Sequence, residues 1–100
     1  MKLLTEEIRR RLPALHESPD NRDPVVQVRL VCQWSERAWY VTAFNGRDLL
    51  YGLIVDDGLP AEWDYFSLSE LETFFDANGR RLVKRDPYFE PVPVSRLDLL

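Results

Sequence analysis

The chain has one cysteine, one histidine and four glycines in 100 residues. A lone Cys32 can form neither an intrachain disulfide nor a thiolate metal cluster, and no evident base stands ready to make it a nucleophile. One cysteine and one histidine are too few for a zinc centre. His16 sits in the polar connector His16–Pro24 with no orienting partner for general-base work. Four scattered glycines leave no phosphate-cradling loop. No apolar run nears the roughly 20 residues of a membrane span, and charges follow too closely on the apolar start for a secretory signal. These absences lead us to expect a cytoplasmic protein without membrane association.

Positive charge is also short, with 13 basic residues against 17 acidic ones and a net charge of −4. Such a chain is poorly suited to gripping a phosphate backbone over its whole surface, although a local patch could do so. It suits basic partners, including proteins that themselves bind nucleic acid. What is abundant is apolar: 45% hydrophobic residues, enough for one folded domain, 1–100, around a single core.

The periodicities predict an α+β fold, an antiparallel β-meander of three to five strands flanked by two short helices. Thr5 caps a helix near 5–12, with Glu6 and Glu7 in its first turn and Arg9, Arg10 and Arg11 in its last, an order that suits the helix dipole. Leu4, Ile8 and Leu12 make its apolar stripe. Val25–Cys32, Arg37–Phe44 and Asp48–Val55 read as strands, the last two joined by a tight turn at Asn45-Gly46. Both faces of these strands are apolar, so something must cover each side. Ser67 and Glu70 form a capping box for a second helix near 67–77, with Leu68, Leu71 and Phe75 buried, Glu72 solvated and Asn78-Gly79 as its stop. Arg80–Asp86 reads as another strand. The spaced prolines that follow confine the rest to an edge or the surface, with Ser95 capping a last turn.

Two charged clusters are candidates for chemistry. Asp56, Asp57, Glu62 and Asp64 crowd one loop, and with Asp86 they are the carboxylates that helix capping does not explain. Converging oxygens of this kind hold Mg²⁺ or Mn²⁺ in nucleases, but no lysine or histidine is interspersed as acid or base, and a solvated acidic loop is the simpler reading. The basic string Arg80, Arg81, Lys84 and Arg85, beside Tyr88 and Phe89, could track phosphates while aromatics stack bases. It could equally pair with the acidic loop.

The segments MKLLTEEIRRRLPAL, WYVTAF, YGLIV, YFSLSELE and RDPYFEPVP, in that order, resemble the family catalogued as domain of unknown function 2958 (DUF2958). Members are typically bacterial and often lie on plasmids and integrative elements beside conjugation and anti-restriction genes. Some carry the label of single-stranded DNA endonuclease. Here Asp64 stands where members usually have glycine, and Lys84 where they often have an acidic residue. The resemblance and the scarcity of catalytic groups together imply a non-enzymatic accessory protein of mobile genetic elements, a macromolecule-binding module with a protein partner and an anti-defence role. Its contact set would be Trp34, Trp63 and Asp64. The alternative is a metal-dependent single-stranded DNA endonuclease, with Asp56, Asp57, Glu62 and Asp64 around the metal and the basic string holding the strand.

Overall fold

The computed structural model describes residues 2–15 and 22–99, so His16 lies outside the described residues. They contain helices α1 (Glu6–Arg11) and α2 (Leu68–Glu72). The strands are β1 (Val25–Val26), β2 (Val28–Cys32), β3 (Ala38–Phe44), β4 (Leu49–Val55), β5 (Glu62–Ser67), β6 (Val83–Arg85) and β7 (Val92–Pro93). β5, β4, β3, β2 and β6 form one antiparallel sheet in that order, and β1 pairs with β7 in a second, two-stranded one. This is the expected α+β architecture.

The two apolar faces acquire different covers. Trp39, Val41, Leu30, Leu50 and Val83 are buried under α1 and α2, together with Ile8 from the first, Leu4 and Leu12 from its flanks, and Leu68 and Leu71 from the second. Tyr40, Ala38 and Leu53 are buried on the opposite face with Val26 and Val94, and Phe89, Leu97 and Leu99 pack against them. The proline-spaced C-terminal segment therefore forms the second cover. Arg29 fastens it: its Nε donates to the Tyr40 hydroxyl (3.0 Å) and its Nη1 to Asp86 (3.3 Å), while the Asp86 amide donates to the Arg29 carbonyl (2.9 Å).

Several local expectations need correction. The predicted first strand breaks at Gln27, whose amide donates to the Val41 carbonyl, and Val26 moves from the face of Val28 to the opposite cluster. β3 carries a bulge, since Val41 pairs with Gly52 but Ala43 with Tyr51. The extra residue, Thr42, is buried and donates its hydroxyl to the Tyr51 carbonyl (3.2 Å). The bulge puts Phe44 on the Trp39 face, whereas strict alternation along β3 would put it with Tyr40. The β3–β4 hairpin exists, but not as a two-residue turn. The Asn45 Oδ1 accepts from the amides of Arg47, Asp48 and Leu49 (2.9, 3.0 and 3.0 Å), and only Gly46 has positive φ (85°). A side chain organises this turn in place of a primed backbone.

Thr5 caps α1 as expected, its Oγ1 accepting from the Ile8 amide (3.1 Å). Of the arginines that follow, Arg11 pairs with Glu7 (3.2 Å) and Arg9 lies 5.3 Å from the Phe44 ring centroid, while Arg10 is exposed. α2 is shorter than predicted. Ser67 Oγ accepts from the Glu70 amide (3.2 Å), but the carboxylate closing the cap is that of Asp48, which accepts from Ser67 Oγ and the Ser69 amide (2.7 Å). The Thr73 hydroxyl then turns back onto the Ser69 carbonyl (2.7 Å), and the helix stops. Phe74 and Phe75 are left half exposed, not buried. Gly79 closes a small hairpin in which Phe75 bridges Arg81, organised by Asp76 Oδ1 accepting from the amides of Asn78 and Arg80. At the C-terminal end Asp23 caps the 3-10 turn Val94–Arg96, accepting from the Ser95 amide and hydroxyl; Ser95 is not itself the cap.

Candidate binding surfaces

The acidic loop folds back on itself. Asp56 Oδ2 accepts from Arg37 Nε (3.1 Å) and its Oδ1 from the Asp57 amide (2.9 Å), so both oxygens are engaged. Asp64 Oδ1 accepts from the Tyr65 amide (2.7 Å). Glu62 and Asp64 project from β5, opposite Ile54 and Gly52, while Asp57 lies beyond the end of β4. Asp86 is held by Arg29 and by the Tyr88 amide (3.0 Å). Among the described residues no three or more His, Cys, Asp or Glu side chains come together to hold a metal ion, and no buried side-chain nitrogen or oxygen lacks a partner. The carboxylates do not converge on one point, so the donor set does not fit Mg²⁺ or Mn²⁺. Cys32 is buried in the core.

The same antiparallel register gathers two loops at one end of the sheet. Ala38 pairs with both Val31 and Val55, so the β2–β3 turn and the acidic loop leave the sheet side by side. The Arg37–Asp56 ion pair ties them, and the Arg37 guanidinium lies 5.9 Å from the Trp39 ring centroid. At the tip of the turn Trp34 is 88% exposed and holds a left-handed φ of 66°. Leu59 is 64% exposed across the tie, and Glu36 and Asp57 are exposed with them. Trp63 behaves differently. Its ring lies on Tyr51 (5.7 Å between centroids, 14° between planes) and packs against the second core cluster. Burial, followed by the charges of Tyr65 and Asp64, raises the Tyr51 hydroxyl above its ordinary pKa.

The basic string is partly reassembled at the other sheet edge. Arg81, Lys84 and Arg85 line a groove of about 380 Å³ beside β6, together with Lys2 from the N-terminal segment. Leu3, Val83 and Pro87 complete the lining. Arg85 Nη1 donates to the carbonyls of Leu3 (2.7 Å) and Lys2 (3.3 Å), and Glu72 accepts from the Leu3 amide (3.1 Å). Glu72 is therefore a clamp for the N-terminal segment, not a solvated residue. Arg80 and Tyr88 are exposed outside the groove lining. Lys2 lies too far from the basic string in sequence for any spacing pattern to have joined them. Asp48 and Glu72 were equally invisible as partners, because each acts across a strand or helix boundary.

A family model described as a protein of unknown function (DUF2958) matches residues 3–97. The chain belongs to that family. The match spans nearly all of both covers of the sheet and both charged surfaces, with Lys2 and Leu99 falling just outside it. No curated protein and no solved structure gives a significant match. No helix among the described residues is long and apolar enough to cross a membrane.

Proposed function

We propose that this DUF2958 protein is a non-catalytic binding module that docks a partner protein through the sheet end carrying Trp34, and that it serves mobile genetic elements in an accessory, anti-defence role. The observation that carries the docking surface is the presentation of Trp34. An indole held 88% exposed in a left-handed turn gains nothing from the fold around it. Buried in a partner's pocket, such a ring is the kind of anchor that dominates interface energies. Leu59 extends the apolar contact, and Glu36 and Asp57 give it an acidic rim. The partner surface would therefore be basic around an apolar pocket, which fits a protein that itself handles nucleic acid.

The test is affinity capture from a bacterial host lysate with the wild type, Trp34→Ala and Asp57→Lys. A basic protein retained by the wild type and lost with Trp34→Ala supports the reading. Equal capture by all three overturns it, as does cleavage of single-stranded DNA by the purified protein that EDTA abolishes.

A further inference from the structure

We infer that the groove beside β6 is a second site, which binds a single-stranded nucleic acid through its phosphates. Four cationic residues, Lys2, Arg81, Lys84 and Arg85, line it, and among the described residues no carboxylate does, in a chain that carries a net charge of −4. Its floor is apolar and fixed, with Leu3 and Val83 both buried in the core. The site is also built. Arg85 and Glu72 hold the backbone of residues 2 and 3 from opposite chemical ends, carbonyl and amide, and this brings Lys2 to the β6 edge. Arg85 is thus a positioning residue as well as a charge.

The aromatics decide the ligand class. Phe75 bridges Arg81 across the small hairpin and is 49% exposed, with Phe74 beside it at 50%. Base stacking on such rings next to phosphate-tracking cations is the means by which proteins hold single strands. A duplex conceals the base faces that would stack. An acidic peptide could add to the open edge as an extra strand, but β6 has three residues and Pro87 follows closely, too short an edge for that mode.

Fluorescence anisotropy with a labelled mixed-sequence 20-nucleotide DNA strand at low salt tests this, with the same sequence as a duplex and poly-glutamate as competitors. Lys2 and Lys84 are exposed, so Lys2→Gln/Lys84→Gln leaves the fold intact. The double variant should weaken strand binding about tenfold and lower the slope of log affinity against log salt by about 1.4, roughly 0.7 per lost phosphate contact. Phe75→Leu keeps apolar packing but removes the stacking face, and should weaken binding at least ~5-fold. Trp34→Ala should bind the strand as the wild type does, which separates this site from the docking surface. Absent strand binding, an unchanged double variant, a duplex that competes as well as the strand, or poly-glutamate that does so would each overturn the inference.

Discussion

The carbonyl oxygen of Tyr40 occupies the space that a β-carbon on Gly52 would need, across the β3–β4 pair. The atoms nearest that β-carbon all belong to the backbone of Tyr40 and Val41, just before the bulge at Thr42. Gly52→Ala cannot be relieved by a rotamer change. It should cost about 3 kcal/mol, the upper range of overpacking, in urea unfolding. Gly46→Ala is the control: φ is +85° with open space around it, and the cost should stay near 1–2 kcal/mol. Equal losses at the two positions would refute the steric account.

Arg29 joins strand to cover, and its removal should free the cover first. The guanidinium serves the Tyr40 hydroxyl and Asp86 together, while Phe89 meets the Tyr40 ring edge-on at 6.2 Å. Both charged side chains are partly exposed, so solvent screens the ion pair, and about 1–2 kcal/mol is the expected loss for Arg29→Ala. Hydrogen exchange should quicken in residues 86–97 before it does in β3 and β4. Uniform acceleration along the chain would show that the segment is not a separately fastened cover.

The meander, the α1 cap and stripe, and the need for two covers were all legible in the sequence, because period-two and period-four patterns report local burial. Three kinds of feature were not. The bulge leaves no mark on alternation until its partner strand is known, and alternation alone puts Phe44 on the wrong face. Asp48 and Asp23 cap elements far from them in sequence, and no local motif announces a cap delivered from another loop. The groove at β6 needed Lys2, which tertiary folding alone brings beside Lys84. The basic string marked part of that site, while the acidic string marked a loop whose carboxylates do not converge.

Asp48 links stability to pH. The Ser67 hydroxyl, then the Ser69 amide and hydroxyl, hold its carboxyl below the usual carboxylate range in the folded protein. In the unfolded chain it titrates near the ordinary value of about 3.9. Between those two values the unfolded state binds the extra proton. Stability from this cap is therefore fully present above about pH 5, and is lost as pH falls through the folded value. Asp48→Asn should be less stable at neutral pH and should show a shallower decline on acidification. A variant whose stability falls as steeply as that of the wild type would remove Asp48 from the account, leaving Asp23, which the Ser95 amide and hydroxyl depress in the same direction.

Trp34 offers the sharpest separation of folding from binding. Its left-handed φ of 66° costs a residue with a β-carbon roughly 1–2 kcal/mol, and at 88% exposure its ring recovers almost none of this by burial. Glycine relieves that strain but loses more chain entropy on folding, by about 0.5–1 kcal/mol. Trp34→Gly should thus range from neutral to about 1.5 kcal/mol more stable, a rise in Tm of no more than ~12 °C for a domain of this size. Partner capture should fall to background in the same variant. Thermal unfolding and lysate capture on one preparation read both quantities. If Trp34→Gly is destabilised, the indole supports the turn in a way its exposure does not reveal, and its role as a docking anchor loses its structural basis.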